Sequence, residues 1–240
     1  MLQVSDWTVC QENSLVLDHL SFQLAKGKLL AILGPTGVGK STLLLSLAGL
    51  LPHEAGDISP TIYPHQIGFL FQESSLFPWM TVEENIRLGF HKQFLDKREV
   101  DRLLFEALER LDLLRYKDRY PHQLSLGQEQ AVALARILVK HPPYIFLDEP
   151  TGVLSPEEAK KTWKELEKIK EEQGATIILA THRIHEALVM ADYVAVLRKG
   201  RLLTFEENPL RDEERQEDAP AYRQYYRKIE KYLGGATHDC

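Results

Sequence analysis

Nine residues constrain this chain more than any others: Gly34-Pro35-Thr36-Gly37-Val38-Gly39-Lys40-Ser41-Thr42, set directly after the apolar run Leu29–Leu33 and directly before a helical stretch over 43–50. The glycines let the backbone curl so that successive N–H groups and the positive end of the following helix converge on one anion. Lys40 adds charge at the β- and γ-phosphates of a nucleotide, and the Ser41 hydroxyl suits Mg²⁺. The competing reading is an ordinary glycine-rich turn. At typical residue frequencies the spacing G-x-x-x-x-G-K-[ST] arises by chance in roughly one chain in a hundred of this length, before strand and helix flanks are required. The segment is read as a phosphate-binding loop.

A strand that feeds such a loop belongs to a parallel sheet, and the rest of the chain supplies more strands. The apolar runs 67–71, 144–147, 176–180 and 193–197 join 29–33 as buried strands, with helical stretches between them. An α/β architecture follows. The interval 73–143 is too long for one crossover and reads as an inserted helical subdomain, about 74–140. Within it, residues 97–114 carry Val100, Leu103, Leu104, Ala107, Leu108 and Leu111 at helical spacing. Residues 2–24 alternate and break at polar positions 11–14, which predicts antiparallel strands beside the parallel core. Beyond Glu206 the charge density rises before a helical pattern returns over 222–233, so 206–240 reads as a charged linker and a packing helix.

Composition excludes several classes. A net charge of −6 argues against a broad nucleic-acid surface. With 44% apolar and 27% charged residues the chain is a folded, water-facing polypeptide. Its two cysteines, Cys10 and Cys240, provide no disulfide framework and fit a reducing compartment. No run approaches the roughly 18 apolar residues that span a bilayer, and residues 1–10 lack the pattern of a secretion signal.

The strand 144–147 ends in Asp148-Glu149-Pro150, so two carboxylates emerge at the carboxyl end of a strand, where α/β sheets bind ligands. Asp148 is placed to hold Mg²⁺ and Glu149 to polarise a water for in-line attack on a γ-phosphate. A helix-capping carboxylate with an exposed neighbour would give the same pair. The phosphate loop favours the Walker B reading.

Two further segments, Leu124-Ser125-Leu126-Gly127-Gln128 before an apolar helix over 132–139, and Thr181-His182 after a strand, complete an ordered series. On these residues the chain resembles the ATPases of ABC transporters. The resemblance covers most of the chain in the order phosphate loop, Gln72, signature 124–128, Walker B 144–149 and switch histidine His182. It implies a P-loop NTPase fold with a RecA-like, mostly parallel sheet, an N-terminal antiparallel β subdomain and an inserted helical subdomain, with 1–205 as the ATPase domain. It implies ATP and Mg²⁺ as ligands, with Glu149 and His182 as catalytic residues. Residues 34–42, Gln72, Ser125, Gly127 and Gln128 would contact nucleotide, and Ser41, Gln72 and Asp148 would contact the metal. It also implies a head-to-tail dimer in which each ATP lies between one subunit's phosphate loop and the other's signature helix. A homodimer is the simpler expectation and a heterodimer the alternative.

Residues 71–86, with Phe77, Trp79 and Met80, look like the importer branch, where a similar run receives a helix of a membrane-spanning permease; the alternative is that these side chains are subdomain core. The expected role is energising import from the cytoplasmic face of a bacterial inner membrane, with a solute-binding protein as an indirect partner. An exporter subunit, or a soluble ABC ATPase acting in assembly, are the alternatives. The tail resembles the short ends of nitrate-, sulfonate- and taurine-type ATPases. Three positions depart from the family pattern: Leu126 stands for the first signature glycine, Ala131 for a basic residue and Ser155 for the aspartate after Walker B. No aromatic residue stands near 10–11 to stack on adenine, and Trp7 lies too early.

Overall fold

The computed structural model describes residues 1–73, 75–90 and 95–234; Ser74 and Cys240 lie outside them. Six strands form the central sheet, in the order β5 (Ile67–Leu70), β6 (Tyr144–Asp148), β7 (Thr176–Thr181), β3 (Leu29–Leu33), β8 (Tyr193–Arg198) and β9 (Arg201–Glu207). The first five are parallel and β9 closes the edge antiparallel to β8. A second, antiparallel sheet runs β2 (Ser14–Leu24), β1 (Leu2–Gln11) and β4 (Ala55–Ser59). The helices are α1 (Lys40–Leu47), α2 (Val82–Arg87), α3 (Lys97–Arg110), α4 (Leu126–Leu138), α5 (Pro156–Gln173), α6 (Ile184–Met190) and α7 (Pro220–Leu233).

The parallel strands read as continuous apolar runs because both faces of the sheet are covered. Side chains alternate. Leu29, Ala31, Leu33, Ile145, Leu147, Ile177 and Leu179 pack with residues of α4, α5, α6 and α7. Leu30, Ile32, Phe146, Ile178 and Ala180 pack with α1 and the antiparallel sheet. Burying one such side chain contributes about 1.5–3 kcal/mol, so a one-residue slip of register would cost both layers at once.

The helical subdomain has its own core of Val82, Ile86, Phe90, Leu104, Ala107, Leu108 and Leu113. Helix α4 is the shared wall: Val132, Ala135 and Val139 face this core, whereas Ala133, Leu134, Ile137 and Leu138 face the sheet. Helix α3 starts where Asp96 accepts from the Glu99 N–H at 2.9 Å, an N-cap that satisfies an orphan donor. Strand β9 and helix α7 close the other side, with Tyr222, Tyr225 and Ile229 in the sheet's core.

The antiparallel sheet is locked to the core at residues 16–18. The Asp18 N–H donates to Gly200 O at 2.8 Å. A β-carbon at Gly200 (φ 75°) would fall 2.5 Å from Val16 O, and one at Gly39 (φ 107°) would fall 2.8 Å from Leu17 Cδ2. Both positions need glycine for conformation and for close approach. Trp7 lies in this layer, 2% exposed, donating to Ser46 Oγ at 2.9 Å and stacked on His53. It is a core side chain.

Candidate functional site

Register decides which loops meet. Leu33 of β3 pairs with Thr181 of β7, and Ala180 of β7 pairs with Asp148 of β6. The three adjacent strands therefore end together, and each runs directly into a site segment: β3 into residues 34–42, β6 into Glu149 and β7 into His182. Gln72 lies just past the neighbouring β5, whose Leu70 pairs with Leu147, and it is exposed there.

Helix α1 begins at Lys40, three residues earlier than the apolar pattern alone marks, because Gly39 takes the left-handed conformation that turns the chain into it. Lys40 is 6% exposed; its ammonium donates to Gly34 O at 2.9 Å and Pro35 O at 3.1 Å, folding over the loop it belongs to. It also lies 3.6 Å from Glu149 Oε1. The other oxygen of Glu149 is 2.8 Å from His182 Nδ1. One carboxylate thus bridges the loop lysine and the histidine. Glu149 holds this place in the left-handed region (φ 48°), a conformation that costs a non-glycine residue of order 1–3 kcal/mol, with its N–H donated to Ala180 O at 2.9 Å.

Asp148 is buried, and its Oδ1 has no hydrogen-bond partner. Burial pushes its carboxyl above the ordinary carboxylate range, while a hydrogen bond from Ser41 pulls the other way. A buried carboxylate oxygen left unpaired beside a serine hydroxyl is the donor set of a hard divalent cation that takes its remaining ligands from phosphate and water. Among the described residues no group of three or more His, Cys, Asp or Glu side chains is placed to hold a metal ion.

The signature segment stands apart. Ser125 N-caps α4, accepting from the Gln128 N–H at 3.2 Å while Gln128 Oε1 accepts from the Ser125 N–H at 3.0 Å. The Leu126 side chain is 61% exposed. Among the described residues no hydrogen bond or ion pair joins Ser125, Gly127 or Gln128 to the phosphate loop, Asp148, Glu149 or His182. Ser155 has a local role: it caps α5, donating its hydroxyl to Glu158 Oε2 at 2.7 Å, and the Glu158 carboxylate lies where a side chain on Gly127 would point. Ala131 packs against the helical core.

Phe77 and Trp79 are exposed, Trp79 at 67%, with their rings in edge contact at 5.3 Å. They are not subdomain core. Buried Asn85 shapes the turn beneath them, donating to Phe77 O, Met80 O and Thr81 O and accepting from the Phe77 N–H.

Sequence reasoning passed over Glu186, a buried carboxylate that accepts from Thr151 and Thr181, and Gln130, which donates to Pro150 O at 3.1 Å. The one available signal was a glutamate in the first turn after Thr181-His182.

Over residues 17–152 the chain matches the ABC transporter family. It is 36% identical over 199 residues to the spermidine/putrescine import ATP-binding protein PotA of Lawsonia intracellularis, covering 80% of this chain and 54% of that protein. It is 39% identical over 198 residues to the sulfate/thiosulfate import ATP-binding protein CysA of Caulobacter vibrioides, covering 78% and 58%. The chain spans about half the length of these curated relatives. Among solved structures, the ATP-binding cassette MJ0796, a dimer in a post-hydrolysis state bound to ADP and Pi, superposes with TM-score 0.79 at 27% identity, covering 88% of this chain and all of that one. The protein cbiO1 from Clostridium perfringens, part of the ABC transporter complex cbiONQ, gives TM-score 0.79 at 30% identity, covering 97% and 95%. Matched over more than half its length, with the cassette fold and homologues that are import ATP-binding proteins, the chain belongs to the ABC transporter ATPase family.

Proposed function

We propose that this chain binds and hydrolyses ATP as the energy-supplying subunit of an importer, docked on the cytoplasmic face of a membrane. The observation that carries this reading is the Glu149 carboxylate set between Lys40 and His182, beside the unpaired oxygen of Asp148. In it, residues 34–42 wrap the β- and γ-phosphates with backbone N–H groups and Lys40 turns its ammonium from Gly34 and Pro35 to phosphate oxygens. Ser41 and Asp148, with Gln72 at the next strand end, would hold Mg²⁺, which would supply neutralisation of phosphate charge. Glu149 orients the attacking water and takes its proton, and His182 fixes the carboxylate and meets the γ-phosphate.

The exposed signature end of α4 then serves a second ATPase subunit, its Ser125 hydroxyl and the Gly127 N–H facing the other chain's nucleotide, with Gln128 beside them. The Phe77–Trp79 patch fits a helix of a membrane-spanning permease. Among the described residues no helix is long and apolar enough to cross a membrane. Relatives named for a polyamine and for sulfate share this cassette, which therefore carries no mark of the cargo; a solute-binding protein and the permease would read it.

Glu149→Gln tests the reading. The variant keeps the shape of the side chain and removes the base, so ATP binding should persist while turnover falls by roughly 10²-fold or more. Hydrolysis at the parental rate would sink the assignment.

A further inference from the structure

The segments that carry Glu149 and His182 are tied together by a buried side chain, Glu186, in addition to a surface bond from Arg183 to Gly152 O at 3.2 Å. Thr151, two residues after Glu149, donates its hydroxyl to Glu186 Oε1 at 2.7 Å. Thr181, one residue before His182, donates to Glu186 Oε2 at 2.6 Å. Trp163 Nε1 of α5 donates to Oε1 as well, at 3.1 Å. Glu186 is 1% exposed and both threonines are fully buried. The arrangement extends at both ends: Thr181 Oγ1 accepts from the Arg183 N–H at 3.1 Å, bracketing His182, and Pro150 O accepts from Gln130 of α4.

A buried carboxylate held by neutral donors adds little net stability, since desolvation offsets most of what the hydrogen bonds return. Its effect here is positional. Each oxygen accepts from one segment, so beyond the end of the β6–β7 pairing the carboxylate adds a side-chain link between the segments whose tips meet as Glu149 and His182, 2.8 Å apart. Glu149 has left the strand in a left-handed turn, with its N–H still donated to Ala180 O of β7, and His182 lies between β7 and α6.

We propose that Glu186 is a positioning residue for hydrolysis: by accepting from Thr151 and Thr181 it holds the Glu149–His182 pair in register over the γ-phosphate. This rests on the reading of Glu149 as the base. Loss of the clamp should slow the chemical step and leave nucleotide affinity alone, because residues 34–42 do not depend on it.

The experiment compares Glu149→Gln, Glu186→Gln, the double variant Thr151→Val/Thr181→Val and the combination of the last two, each as the full chain co-purified with its membrane partner. Steady-state kcat and KM for ATP are measured, with ATP affinity measured separately. Glu186→Gln presents a donor where Thr181 needs an acceptor, and is expected to lower kcat roughly ten- to hundredfold while KM and ATP affinity stay within about threefold. The two-threonine variant removes the same contacts isosterically and should fall comparably, and the combination should fall no further. Should Glu186→Gln fail to fold, the two-threonine variant carries the test. Parental kcat in that variant or in Glu186→Gln, alongside an inactive Glu149→Gln, would overturn the proposal and leave the base in place. A drop in ATP affinity equal to the drop in kcat would reduce Glu186 to a structural residue and also overturn it. Turnover retained by Glu149→Gln would remove the base assignment and this one with it.

Discussion

Lys40 and Asp148 are buried and meet the half-buried Glu149 where neighbouring strands end, whereas Ser125 and Leu126 are exposed and, among the described residues, the side chains of Ser125 and the half-buried Gln128 bond within their own turn. Both regions are helix amino ends with backbone N–H groups to offer. At the first, the sheet brings lysine, carboxylates and histidine to the same point, so one chain assembles the chemistry. At the second, the capping box satisfies what it can and the rest faces outward. In the proposed reading, a site built on the first region takes the second from another molecule.

The contrast is most directly broken at Lys40. Lys40→Ala removes a charge-assisted contact in a buried setting, and ATP affinity should fall by roughly ten- to hundredfold in a fluorescent-nucleotide titration. A smaller loss than that caused by Ser125→Ala would invert the comparison. Next comes the far end of the strand that feeds the loop. Asp192 accepts from the Leu29 N–H at 2.8 Å and pairs with Lys28 and Lys170. Burial alone would raise its carboxyl, but these donors win and hold it below the ordinary range. A lowered carboxylate stabilises the fold above its unfolded value, near 3.9, and that contribution is lost as pH falls through the folded value. Asp192→Asn should therefore cost about 2 kcal/mol at neutral pH in denaturant melts, with the deficit closing as both proteins are acidified below about pH 4. A deficit unchanged by acid would show that charge is not the cause.

On the exposed side the effects shrink. Ser125→Ala removes only an N-cap, worth about 1 kcal/mol, and should leave ATP affinity of the isolated chain unchanged. A loss of affinity there would mean that the signature contributes to its own chain's nucleotide. Leu126→Gly is the smallest: removing an exposed side chain should alter turnover of the assembled transporter by less than about threefold. A larger gain seen only when a second, different ATPase chain is supplied would sharpen the comparison into a heterodimer with unequal sites.

The same contrast explains how much was legible in the sequence. The loop 34–42 and the pair Asp148–Glu149 declare themselves because their chemistry needs rare residues at fixed spacing beside apolar strands. The bridge from Lys40 through Glu149 to His182 was not legible, since it depends on strands far apart in sequence becoming neighbours in the sheet. Strands β4 and β9 were missed for another reason. Both are sheet edges, one face wet, and their mixed sequences AGDIS and RLLTFEE carry little of the burial signal that marks β3 or β7. Ser155 reads as a lost aspartate by family pattern, yet with Pro156 and Glu158 it spells a capping box, a local signal that pattern matching overlooks.

The grip of Gly39 and Gly200 on residues 16–18 divides the first hairpin into two kinds of ground. Past Val16 the chain is machined to its neighbours, and any added atom is felt at the phosphate loop. Before it, Glu12 and Asn13 form an exposed tip, both in left-handed conformations. A short insertion at that tip, a fluorophore or an affinity tag, would be carried on exposed chain ahead of the residues that anchor the strand. The hairpin is thus a graft site whose foundation is fixed by two glycines, one in the phosphate loop and one in the turn between β8 and β9.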